Sequence, residues 1–440
     1  MQSPTTILVA IALAATSLFG DTVKDRAGAV RSDRATFESD VRWNYNDVDR
    51  GFAQAKSTGK PLLVVLRCVP CLACAGIDAS VLNDPDLKPL LDQFVCVRVI
   101  NANTLDLSLL QFDYDLSFST LFFNADGTVY GRYGSWTHQK NALDKSTAGY
   151  KKALESALAL HRGYPANKAA LAGKQPGPIP FKDPLAIPAL AGKYTRQLDW
   201  DNKVVQSCVH CHQIGDAIRA SYRAQKQPIP SQWIYPMPTP ETIGLSLAPD
   251  QIARVTAVAP ASPAEKSGLH VGDEIISLAG QPLVSMTDVS WILHRGPEEG
   301  SLKAIINRAG ETKALDLELP AKWRFKSDIS KRVGTWPMRG MALGGLVLAD
   351  LPDEERATRG LARTNMALLV KFVGQYNEHA AAKKAGFQKD DVIVNLDNFA
   401  ARITESELIG QLLHRHNRGD QVQATVVRDG NRVNLSLPMQ

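Results

Sequence analysis

The chain has 440 residues, 44% hydrophobic and 22% charged, which is too long for one ordinary core and too apolar for a disordered chain. Fifty Lys and Arg stand against 45 Asp and Glu, a net charge of +5, and no long basic tract collects them, so nucleic acid is not a partner this composition points to. Five of the six cysteines fall in two short stretches, a spacing that suits chemistry better than packing.

Residues 1–20, MQSPTTILVAIALAATSLFG, hold an apolar run from Ile7 to about Ala15 followed by small residues. The run is short for a membrane span and right for a secretory signal peptide, so the chain is expected to be exported, periplasmic or secreted. An uncleaved N-terminal segment would be its sole membrane contact. Export permits disulfides and covalent haem attachment.

Residues 37–165 alternate helix and strand. FAQAKSTGKP ends a helix, and Leu62 to Leu66 form a buried-strand run. Cys68-Val-Pro-Cys71-Leu-Ala-Cys74 follows and opens a helix through Ile77 and Leu82. Next come the strand FVCVRVI, a short helix around Leu105 to Phe112, the strand TLFFNADG turning at Asp126-Gly127, and an amphipathic helix from Ser146 to His161. This order resembles a thioredoxin-like domain. By position past the strand, Cys71 is the expected nucleophile, its thiolate stabilised by the helix N-terminus, and Cys74 the resolving thiol. Cys68 is an extra thiol for an alternative bridge or a zinc or copper site. Cys96, between two valines, reads as buried and inert. Ser119 stands where such domains place a cis-proline, which favours a specialised partner, a sensor or a metal site over a general reductase.

Residues 166–240 shift to Pro, Ala, Gly and Lys and read as an extended linker. In its middle stands Cys208-Val-His-Cys211-His212, then the helix-competent IGDAIRASYRAQ. A C-x-x-C-H run is first a c-type haem site: two cysteines as thioethers and His212 as the iron ligand. Met237 is the nearest downstream candidate for the sixth position. A plain disulfide or a zinc site using His210 or His212 are the competing readings.

The rest is a repeat. SPAEKSGLHVGDEIISLAGQPL (from Ser262) and HAAAKKAGFQKDDVIVNLDNFA (from His379) agree in pattern, and each precedes a helix and a strand pair. Residues 241–321 and 336–440 are therefore two copies of one mainly-β domain, and they resemble PDZ domains of bacterial periplasmic proteases. Ile243, Gly244, Leu245 and Leu247 match the loop and strand that hold a peptide C-terminus. The second copy has Asp390 for the usual Gly and Met366-Ala-Leu-Leu in place of the glycine loop. No Gly-x-Ser-x-Gly or Gly-Asn-Ser-Gly-Gly run is present, so a protease is not the expectation.

RCVPCLAC, DLSF, NADGTVYGRYG, CVHCHQ, YPMPTPETIGL and two PDZ-like repeats, in that order, resemble the Trx7/PDZ domain-containing (seleno)protein family of planctomycete-type bacteria. Selenocysteine in some relatives implies that the first cysteine cluster handles electrons. The expected architecture is multidomain: a thioredoxin-like α/β domain, a Pro-rich haem-type linker and two PDZ-like β-domains. The expected function is thiol–disulfide or electron transfer with a redox partner protein, with client peptides recruited by the first PDZ domain. The alternative is a non-enzymatic scaffold or redox sensor with structural disulfides or a metal site.

Overall fold

An all-apolar strand run needs cover on both faces, and LLVVLR finds it. The computed structural model describes residues 25–70, 84–134 and 147–440. The N-terminal 24 residues, Cys71, Cys74 and the expected helix through Ile77 and Leu82 lie outside the described residues. The first unit comprises α1 (Arg26–Phe37), β1 (Trp43–Tyr45), α2 (Val48–Thr58), β2 (Leu62–Arg67), β3 (Val95–Val99), β4 (Phe118–Phe123), β5 (Val129–Gly134) and α3 (Thr147–Arg162). The sheet order is β1-β3-β2-β4-β5; β2 is parallel to β3 and antiparallel to β4. Central β2 is buried at every position, which is why its sequence does not alternate.

Helix α1 was not legible in the sequence, and it belongs to this unit. Its Asp33 pairs with Arg98 of β3, both nearly inaccessible, and its Phe37 lies under the Arg98 guanidinium. The helix expected around Leu105 to Phe112 is absent. Asp106 accepts from the Ser108 backbone and hydroxyl, a local turn that competes with helix, while Leu105, Leu107 and Leu110 bury separately in the core.

The Pro-rich segment is a packed connector, not an extended one. Its prolines start short 3₁₀ turns instead, as at Pro184–Ala186, and Ile187, Leu190, Leu198 and Val204 bury against the first unit. It ends in α4 (Cys211–Ala224). Arg223 of α4 donates to the backbone carbonyls of Gln440 and His416, and Tyr235 donates to the Ser406 carbonyl, so the segment also binds the last domain.

The third unit contains β6 (Leu245–Leu247), β7 (Val255–Val258), β8 (Glu274–Leu278), β9 (Gln281–Pro282), α5 (Met286–Arg295), β10 (Gly300–Arg308) and β11 (Glu311–Leu319). After α6 (Thr335–Leu343), the fourth has β12 (Leu346–Asp350), β13 (Leu368–Val373), β14 (Val392–Leu396), α7 (Glu405–Arg415), β15 (Gln421–Arg428) and β16 (Asn431–Pro438). The repeat is visible atom by atom. Arg308 holds Asp273 at 2.7 and 2.8 Å and donates to the Gly268 carbonyl; Arg428 holds Asp391 at 2.7 and 2.8 Å and donates to the Gly386 carbonyl. Asp390 does what Gly272 does in the first copy: both are left-handed, at φ 71° and 93°, a conformation Asp tolerates.

One expectation about the second copy is corrected by the strand order. In the first copy β6 pairs with β7; in the second its counterpart pairing with β13 is β12. The loop leading into that strand is Leu343-Gly344-Gly345-Leu346, with φ of 59° and 89° at the glycines, so the glycine loop is present there and Met366-Ala-Leu-Leu merely leads into β13.

Candidate functional site

The two cysteine stretches meet. Cys68 follows β2 directly, and its backbone N–H donates to the Ser117 carbonyl at 3.0 Å, which places it against the loop entering β4. Its Sγ lies 3.3 Å from Nδ1 of His210, 142 residues away. His210 precedes the first residue of α4. Its backbone N–H donates to Gln213 Oε1 at 2.8 Å, and the Gln213 N–H returns to the His210 carbonyl at 2.8 Å. That reciprocal pair fixes the helix start. Ser119 lies inside β4, opposite Leu66 and Gly134, and it is Ser117, two residues earlier, whose carbonyl accepts the Cys68 N–H.

Asn103 ties the connector to the same place. Its amide donates to the carbonyls of Thr195 and Ser207, and its oxygen accepts the Val209 N–H at 2.7 Å. Nothing in the sequence singles out this residue, because it sits in a polar turn with no pattern around it. Cys208 is buried among Val30, Ile100, Leu198 and Val204, and burial pushes its thiol up to about 11. Cys96 is likewise buried and pushed up to about 12. Neither is a nucleophile at neutral pH.

A c-type haem needs both thiols and the following histidine turned to one open face. Cys208 and Cys211 are instead buried in two different apolar clusters, Cys211 packing in the main core with Val209 and Ile214. His212 turns Nδ1 to Asp216 at 3.3 Å. Met237 belongs to a third cluster, the core around Ile243 and Leu245. As packed, these side chains do not fit a porphyrin. Among the described residues no group of three or more His, Cys, Asp or Glu is close enough to hold a metal ion.

Behind the thiol–imidazole contact lies a buried charge chain. Asp216 accepts from Arg219 at 2.5 Å, and Arg332 bonds both Asp113 and Asp115. Burial pushes both carboxyls up; at Asp115 the Arg332 and Arg219 charges overcome it and hold the group below its ordinary range, while at Asp113 burial prevails. The chain locks α4, the loop before β4 and the segment leading into α6.

The expected peptide-binding residues are less open. Ile243 and Leu245 are fully buried, Leu247 nearly so, and Gly244 takes φ 83° with the Ser262 side chain packed against its Cα. Helix α5, which would form the other wall of a peptide groove, is buried from Thr287 to Leu293. Its N-terminal end covers the exposed edge of the first sheet: Ser285 and Thr287 donate to the carbonyls of Arg132 and Gly134 of β5.

The fold is that of a thioredoxin-like domain followed by two PDZ domains. The thioredoxin-like family matches residues 43–125, and PDZ families match residues 254–308 and 366–439. Among curated proteins, the chain is 28% identical over 180 residues to a probable periplasmic serine endoprotease DegP-like of Pseudomonas fluorescens, covering 40% of this chain and 36% of that one. A namesake from Pseudomonas putida is 28% identical over 178 residues, covering 40% and 35%. The chain thus spans about a third of the length of these relatives. Among solved structures, the HtrA-type protease AlgW with decapeptide matches at 21% identity and a TM-score of 0.21, covering 31% of this chain and 40% of that one. No described helix is long and apolar enough to cross a membrane.

Proposed function

We propose that the chain is an exported thiol-redox protein in which the cysteine stretch of the thioredoxin-like domain and the Cys-Val-His-Cys-His segment form one site for thiol–disulfide exchange, with the PDZ domains recruiting the client. The observation that carries this reading is the 3.3 Å approach of Cys68 Sγ to His210 Nδ1. A thiol and an imidazole edge to edge, brought together from stretches 142 residues apart, are an arrangement that redox and nucleophilic chemistry uses. The apolar N-terminus and the periplasmic relatives support export; the PDZ domains support a peptide or protein client.

The test is thiol mass-tagging of the full chain across a series of glutathione poises, with a pyridine haemochrome spectrum on the same sample after maturation in a cytochrome c-competent host. The expected result is reversible, poise-dependent oxidation of cysteines in the Cys68–Cys74 stretch and no covalent haem. Thiols that never change state would favour the scaffold reading, and a c-type band lost in Cys208→Ala/Cys211→Ala would restore the haem.

A further inference from the structure

Resting on the thiol-redox reading and deepening it, we propose that Cys68 is the attacking nucleophile of this site and His210 its general base, and that the pair acts on client disulfides. Position past the strand favours Cys71 for that role, but among the described cysteines Cys68 is the thiol that lies against an imidazole, His210. Cys68 is half-buried, so a client sulfur can reach it, unlike Cys96 and Cys208.

Cys68 lies at Nδ1 of the imidazole, 3.3 Å away. With the ring proton on Nε2, Nδ1 is the acceptor for the Cys68 S–H, a nucleophile–base pair of the kind that activates thiols. Burial first, and then the neighbouring His212 ring, 5.9 Å away, and Arg26, hold His210 below its usual range, which favours the neutral ring and makes Nδ1 available as a base at neutral pH.

The step balances without another redox agent. Nδ1 takes the Cys68 proton, the thiolate attacks one sulfur of the client disulfide, and that S–S bond breaks as a Cys68–client mixed disulfide forms. The leaving client thiolate takes the proton back from His210. A second thiol resolves the mixed disulfide by the same exchange.

The experiment incubates full-length protein with oxidised glutathione at neutral pH and follows glutathionylation of each cysteine by mass spectrometry, in wild type and His210→Gln. The expected result is that Cys68 reacts faster than the thiol of a short unstructured peptide, and about tenfold or more slower in His210→Gln. Cys96 stays unreactive in both, which reports that the variant is folded. An unchanged Cys68 rate in the folded variant would overturn the proposal. So would a wild-type Cys68 no faster than the peptide thiol, a comparison that stands even if the variant does not fold. Reaction at Cys71 or Cys74 with Cys68 inert would remove the pair and leave the thiol-redox reading intact, whereas no reaction at any cysteine would remove both.

Discussion

Asp288→Ala is expected to detach the first PDZ domain from the thioredoxin-like sheet and to cost about 3–5 kcal/mol, the usual penalty for stranding one member of a buried ion pair. Lys174 and Asp288 are both essentially inaccessible and meet at 2.6 Å. Asp288 also accepts the backbone N–H of Val284 at 2.8 Å and of Arg132 at 3.1 Å, so one carboxylate closes three bonds across the connector, the PDZ helix and β5. Around it Arg132 stacks on Trp291 at 3.6 Å, and Val284 presses on Gly131, where a Cβ would come within 2.6 Å. Hydrogen exchange is the measurement: the β5 amides and the start of α5 should lose protection together. A Lys174→Met/Asp288→Leu double variant should not recover the loss, because two backbone donors remain unpaired.

Arg332→Ala should be comparably costly, about 3–5 kcal/mol at neutral pH, since it leaves Asp113 and Asp115 buried with Arg219 as the fixed cation still beside Asp115. The pH dependence has a definite sign. In the wild type, Arg332 and Arg219 hold Asp115 below its unfolded value, so this pair contributes stability above roughly pH 4 that fades on further acidification. Without Arg332, burial raises the folded value, and the carboxylate then destabilises the fold wherever the unfolded chain is ionised. Denaturation of the two proteins should therefore differ most near neutrality and converge as pH falls below about 4. A gap that widens in acid would contradict the assignment of Arg332 as the neutralising charge.

Much of the fold was legible because its signals are strong. The apolar runs at Leu62–Leu66 and Val95–Val99, the Asp126-Gly127 turn and the repeated Asp–strand–helix pattern each follow from local periodicity and turn chemistry. The glycine loop of the second PDZ domain was missed for a countable reason. Seven residues (248–254) separate β6 from β7, but seventeen (351–367) separate β12 from β13, an insertion carrying its own helix at Asp353–Thr358. Gly244 stands 24 residues before Gly268, and the same spacing back from Gly386 lands on Ala362, well past Gly344. The connector misled for a different reason: proline content reads as extension, yet Pro184 begins a 3₁₀ turn and Ile187 and Leu190 behind it are core residues.

The site was half legible. Each cysteine stretch announces itself, and their separate chemistries can be argued from spacing. That they share one location depends on Asn103 drawing in Thr195, Ser207 and Val209, a long-range set of hydrogen bonds with no sequence pattern. The same packing sends Cys208 and Cys211 into apolar clusters, which a C-x-x-C-H motif alone does not foretell.

The most direct test of the account is proximity in solution. A His210→Cys variant of the full chain, treated with a short bis-alkylating reagent and mapped by mass spectrometry, should yield a cross-link between Cys68 and position 210 while Cys96 stays unmodified. A folded variant in which both thiols are singly alkylated but never bridged would show that the two cysteine stretches do not meet, and the single-site account would be wrong.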